Sequence, residues 1–272
     1  MLNERHKEFI KLIEGAARSR SVVDVFGDAV HLMAQSLWKP CIINKAEADE
    51  VEADWQRTRD RYTDAEYQNI CKAFAVVCEA LEHDRAEFLG IVLEEIGASN
   101  KHNGQFLTPK SVSRMMAQIL APSKEEIANH KQGEIITLND CACGASILLI
   151  EGAEQLRESG IPQRDIFMVA GDIDRRACDM SFIELSLLGY AAKVEHMDVF
   201  SRTVYSPPRY TIGYFMHGLP MRGVVHGRLP ARRTETPIET REEIAPIKDI
   251  PEPETPVEAA INAPLVQGVF AF

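Results

Sequence analysis

The stretch Cys141-Ala142-Cys143-Gly144-Ala145-Ser146 holds two cysteines one residue apart, a spacing that could do chemistry. Three chemistries compete for it. A structural zinc site would use both thiolates and needs two more ligands, usually a second close pair. Cys178 and His196 are isolated and supply no such pair. A dithiol redox centre reads C-x-x-C at a helix start, which is not this spacing. A ligand-binding turn needs small side chains that let a ligand reach the backbone, with a glycine free to take positive φ and a helix N-terminus behind it. The surroundings fit the third reading, with the cysteines as compact spacers.

A β-type run over 134–140 ends in Asn139-Asp140, and an apolar helix is expected over 146–159. A second run, 165–174, ends in Gly171-Asp172-Ile173-Asp174 and leads into a helix over 175–189. A third, 192–200, ends near Asp198. Strand, helix, strand, helix, strand is the pattern of a parallel α/β sheet. Ligands bind such sheets outside the carboxyl ends of the strands. Asp172 can accept both hydroxyls of a ribose, and Asp198 can accept from an adenine amino group. Taken singly, Asp174 reads as a helix N-cap and Asp198 as a solvated loop acid. In chain order behind a glycine turn, the acids read as a nucleoside site.

The elements that must hold this site begin with helices. Phe9, Ile10, Leu12 and Ile13 form one apolar stripe, and Val22, Phe26, Val30, Met33 and Leu37 another. Further helices are expected over 46–60, 64–82 and 83–98. Thr108 reads as an N-cap with Pro109 at the first helical position. The run 210–216, YTIGYFM, is the best fourth strand. Beyond about 222 the chain is rich in Pro, Thr and Glu and reads as a disordered tail. Its apolar end, PLVQGVFAF, reads as a docking peptide. The expected units are a helical region 1–100, an α/β unit 101–222 and the tail 223–272.

With 272 residues, 45% of them apolar, a sizeable core is expected. The net charge of −11 excludes a uniformly basic nucleic-acid coat, so any DNA contact needs a local groove or a basic partner subunit. The charged N-terminus lacks a signal peptide's apolar core, and no run approaches the roughly 20 apolar residues of a membrane span. A cytoplasmic protein with six free thiols and no membrane partner is expected.

Two stretches resemble the adenine-N6 DNA methyltransferases, especially modification subunits of type I restriction systems and their shorter phage and plasmid relatives. FLGIVLEEIGASNKHNGQFLTP (88–109) is similar to that family's entry segment with its G-Q-[FY]-[FY]-T-P loop, and DCACGASILLIEGA (140–153) to its D-P-A-C-G-S-G-x-[FL]-L motif. GDIDRRACDMSFIELSLLGY (171–190) fits the next strand end and helix. The resemblance covers about 85–200 and implies a Rossmann-like methyltransferase sheet that binds S-adenosyl-L-methionine. By it, Phe106, Thr108 and Pro109 border the methionine part, and Asp140, Ala142 and Gly144 line the turn beneath. Asp172 then holds the ribose and Asp198 the adenine. Cys141 replaces the family's proline and Ser146 its second glycine.

The resemblance also implies a [DNS]-P-P-[YFW] motif that accepts the adenine amino hydrogens and stacks on the flipped base. The counterpart here is Ser206-Pro207-Pro208-Arg209, with Tyr210 one place late. The sheet is therefore expected to be truncated and its catalytic motif degenerate. Two functions follow. One is a site-specific adenine methyltransferase acting on DNA, with a partner subunit for specificity and a tail that can engage a protein. The other is an inactive cofactor-binding module that regulates or mimics a restriction-modification system. A small-molecule or RNA methyltransferase on the same cofactor half is a third.

Overall fold

The computed structural model describes residues 2–18, 20–98, 108–131, 133–221 and 269–271. Helices α1 (Glu4–Ala17), α2 (Val22–Trp38), α3 (Lys45–Arg59), α4 (Asp64–His83) and α5 (Leu89–Ala98) form the first part. After α6 (Lys110–Leu120) and α7 (Lys124–Ala128), strands and helices alternate. They are β1 (Ile136–Asp140), α8 (Ile147–Glu158), β2 (Ile166–Asp172), α9 (Arg175–Leu187) and β3 (Ala191–Asp198). Then come β4 (Thr203–Val204), β5 (Arg209–Tyr210), α10 (Ile212–Met216) and β6 (Val269–Ala271). This is the expected α/β architecture with a helical N-terminal region. Among the described residues no helix is long and apolar enough to cross a membrane.

The sheet order is β4-β3-β2-β1-β6, with β5 also on β3. β1, β2, β3 and β6 run parallel, while β4 and β5 run antiparallel to β3. The chain steps from β1 outward to β3 and returns on the other side of β1. Strand order therefore reverses at β1, the place where such sheets bind ligands. Residues 269–271 of the apolar terminus supply the returning strand, with Leu138 opposite Phe270. The docking expected of that terminus takes the form of sheet addition.

One cluster of buried apolar side chains runs from Phe9, Phe26 and Phe88 in the helical part to Leu149, Phe182 and Val194 around the sheet. α2 packs on α9, α1 on α4 and α6 on α8. The 3.6-residue apolar period of α1, α2, α4, α8 and α9 aims their stripes at that cluster.

Three elements depart from expectation. The helix expected from 83 starts at Leu89. Arg85 leaves the helical path to bind Glu154 and the Leu188 carbonyl, and the Glu184 carboxylate takes the N–H groups of Phe88 and Leu89 at 2.9 and 2.5 Å. α6 starts at Lys110, with Pro109 rather than Thr108 as its cap, and the Pro109 carbonyl accepts from Val112 and Ser113. Of the run 210–216 only Tyr210 is in a strand, and Ile212–Met216 is helical. Thr211 accepts from Ala192 N–H at 2.9 Å and donates to the Tyr190 carbonyl at 2.6 Å, opening α10 instead. A side chain at Gly213 would sit 2.5 Å from the Tyr190 carbonyl oxygen, so only glycine permits this approach.

Arg209 is a structural residue. Its guanidinium pairs with buried Asp179 at 2.6 Å and lies over the rings of Phe182 and Trp38. His31 reaches the same carboxylate at 3.1 Å. Burial pushes the Asp179 carboxyl up, but Arg209 and His31 outweigh it and hold it below the usual range. Arg209→Ala strands a buried charge and is expected to cost about 3–5 kcal/mol, read as a lower urea midpoint. Arg209→Lys should recover only part of that loss, because an ammonium lacks the planar fork.

Candidate functional site

Asp140 ends β1 and is buried. One carboxylate oxygen accepts from Ala142 N–H at 3.1 Å, and Oδ2 is buried with no hydrogen-bond partner. Burial pushes its pKa up to about 6, against the Ala142 hydrogen bond, and the nearby Asp172 charge adds to the rise. Asp172 ends β2 and clasps the turn: Oδ2 accepts from Gly144 N–H at 3.0 Å, and Oδ1 from Asp174 N–H at 2.9 Å. A carboxylate has about four acceptor positions, so Asp172 retains room for two more donors. Cys143 N–H adds a bond to the Gly171 carbonyl at 3.0 Å. The turn after β1 and the acid after β2 thus meet at one end of the sheet.

Gly144 takes φ 53°, and Ser146 takes φ 67°, the left-handed region. For serine that conformation costs about 1–2 kcal/mol. A buried relay offsets it: Ser146 Oγ donates to Ser181 Oγ at 2.7 Å, and Ser181 Oγ donates to the Gly144 carbonyl at 2.8 Å. The turn therefore tolerates serine where the resembling family has glycine. Ser146→Gly removes strain and relay together, so a stability within about 1 kcal/mol of the parent is expected by chemical denaturation.

Cys143 packs as a buried thiol. Burial pushes the Cys143 thiol well above its ordinary range, and it faces Ser181 Oγ at 3.3 Å. Among the described residues no group of three or more His, Cys, Asp or Glu is arranged to hold a metal.

Asp198 ends β3 on the same side of the sheet, two residues past His196, which is the register partner of Asp172. Its carboxylate accepts from Ser201 Oγ, Phe200 N–H and Ser201 N–H, and these bonds hold its pKa low. Thr108 and Pro109 stand at the start of α6, which packs on α8 behind the turn. Phe106 lies outside the described residues.

Ser206, Pro207, Pro208 and Tyr210 lie along the outer edge of β3, with Ser206 and Pro207 in a pocket beside His196 and Arg175. β5 pairs with the outer edge of β3, and Tyr205 N–H bonds the His196 carbonyl, so this stretch runs along β3 with β2 between it and β1. The sheet does not bring these four residues to the turn.

Three residues passed over in the sequence stand at the site. Ile173 and Phe200 are exposed apolar side chains one and two places after the two strand-end acids. Glu87 is buried, and a side chain at Gly90 would meet its Oε1 at 1.8 Å and Ala145 Cβ at 3.0 Å. Glu87 follows the charged run Glu82–Arg85, so no local pattern singled it out, and it is wedged where the segment before α5 meets the turn.

The decisive comparison is with protein families. Residues 86–210 match the family described as N-6 DNA Methylase. Over that segment, somewhat under half of its length, the chain is similar to the N-6 DNA methylases. The matched segment runs from the Glu87 region through the turn and both strand-end acids to Tyr210. A solved structure described as a class I S-adenosylmethionine-dependent methyltransferase from Listeria monocytogenes shares 18% identity over 71% of this chain and 53% of that one, with a TM-score of 0.36. One described as a modification subunit of a type I restriction enzyme from Vibrio vulnificus YJ016 shares 16% identity over 54% of this chain and 28% of that one, with a TM-score of 0.30. The chain thus spans about half the length of the first and under a third of the second. No curated protein matches.

Proposed function

We propose that the chain binds S-adenosyl-L-methionine at the carboxyl ends of β1, β2 and β3 and methylates adenine N6 in DNA. The observation that carries this reading is Asp140. Its buried, partnerless Oδ2 stands beside the clasp of Asp172 on Gly144, an acceptor suited to a cationic or N–H-bearing ligand. S-adenosylmethionine is such a cation, and it supplies an electrophilic methyl group on sulfur. In this reading Asp140, Ala142 and Gly144 hold the methionine end and Asp172 the ribose. Asp198 faces the adenine, and Phe106, Thr108 and Pro109 border the ligand from the entry segment. The helical region 1–100 acts as the scaffold of the unit 101–222. DNA specificity falls to a partner subunit, a role the net charge of −11 supports.

A second reading has its own support. The position of Ser206–Tyr210 on the outer edge of β3, two strands from the turn, favours a module that holds the cofactor without transferring its methyl group. Incubation with methyl-labelled cofactor and unmodified DNA separates the two. The methylase reading expects label in N6-methyladenine, lost in Asp172→Ala. Cofactor binding without label in DNA would establish the module.

The Asp140 carboxyl gives a pH test. Below about 6 it is protonated, and a cationic ligand must release that proton to bind. Affinity by titration calorimetry should fall as pH drops through 6, by up to about tenfold per pH unit, and level off above it. A flat profile from pH 5 to 8 would place the ligand away from Asp140.

A further inference from the structure

α10 and the residues after α2 form an apolar groove of about 530 Å³. Trp38, Ile43, Pro208, Tyr214, Phe215 and Pro220 line it. The rings of Tyr210 and Tyr214 lie 4.5 Å apart, and Phe215 stands edge-on to Tyr214 at 5.2 Å. Ile43 and Met216 are largely exposed beside them. Grooves walled by aromatic rings and prolines suit extended polyproline II segments, whose preset conformation loses little entropy on docking. Among the described lining residues the one charged side chain is Glu47. A nucleic acid would find no cation there for its phosphates.

The chain itself carries a segment of matching pattern. A polyproline II helix repeats every three residues. At that period Ile244, Ile247, Ile250, Pro253 and Pro256 fall on one face. The intervening positions hold the charges: Lys248, Asp249, Glu252 and Glu254. Ala245, Pro246 and Pro251 also fall off that face, but every charged residue of the segment does so too. Lys248, next to Ile247, complements Glu47.

The tether permits the fit. The segment leaves from Pro220 and Met221, at the rim of the groove, and must reach Val269 beside β1. From β3 to β6 is three strand spacings, roughly 14 Å. The residues between Pro256 and Val269 can span about 40 Å. We propose that this groove is the docking site of the chain's own segment Ile244–Pro256, bound through the Ile247, Ile250, Pro253 and Pro256 face.

The test uses the full chain with benzoylphenylalanine in place of Phe215. Irradiation should cross-link it to residues 242–258 of the same molecule. The double variant Ile247→Glu/Ile250→Glu should lower that yield by about tenfold or more while leaving the circular dichroism spectrum of the folded chain unchanged. In a Trp55→Phe background the Trp38 emission should shift to the red in the double variant, and a synthetic peptide of residues 242–258 should reverse the shift. Cross-links to a second copy in a mixture of light and heavy chains, to added DNA, or to no part of 242–258 would overturn the proposal. So would an unchanged yield in the double variant.

Discussion

Asp140→Asn is expected to make the ligand-free protein more stable and to weaken S-adenosylmethionine binding by about 10- to 100-fold. Both effects come from one buried carboxyl. Its folded pKa of about 6 lies above the ordinary carboxylate value, chiefly through burial. A raised carboxyl favours the folded state below its unfolded pKa, and that contribution is lost as pH rises through 6. At pH 8 the buried charge therefore costs about 3 kcal/mol. Asparagine keeps an oxygen for Ala142 N–H and carries no charge to bury. The melting curves of parent and variant should coincide near pH 4, with the variant several degrees higher above pH 7. A variant of lower stability at pH 8, or one with unchanged affinity, would show that Asp140 is an ordinary structural acid.

Glu184→Ala should be the most damaging single change in the helical-to-sheet seam, at about 3–5 kcal/mol. Glu184 is fully buried on α9, and its Oε1 alone takes the first two N–H groups at the start of α5. Alanine leaves both donors unmet in a dry seam and opens a cavity. Burial pushes the Glu184 pKa up to about 8 despite those bonds, and burial with the Glu184 charge pushes Glu87 well above its usual range. The Glu184 contribution is present below about pH 4.5 and lost as pH rises through 8. Glu184→Gln keeps the acceptor and cannot ionise. It should fall near the parent at low pH and exceed it above pH 8, measured by urea denaturation. Equal pH profiles for parent and Glu184→Gln would contradict the buried-acid seam.

Most of the alternating core was legible because its signals are local. Each strand is a short apolar run, each helix has a period of 3.6, and each strand ends in a glycine or acid that marks the turn. Asp140, Gly144 and Asp172 could be named together for that reason, and the structure brings them together. The start of α5 was not legible, because the carboxylate that sets it lies 96 residues away in the chain. The run 210–216 has a strand-like composition, and Thr211 and Gly213 override it through contacts with Tyr190 that no local pattern announces. The path of Ser206–Tyr210 is likewise set by pairing with β3 and by the buried Arg209–Asp179 pair, both long-range in sequence. β6 could be expected to dock from its apolar character, but its partner strand could not be named in advance.

The most direct measurement is a calorimetric titration of S-adenosylmethionine into the full chain at pH 7.5, repeated with Asp172→Ala of verified circular dichroism. Saturable binding of one molecule per chain, lost in the variant, is the expected result. No binding to the parent, or equal binding to both, would mean that the turn at 140–146 and its clasping acid do not form a nucleoside site.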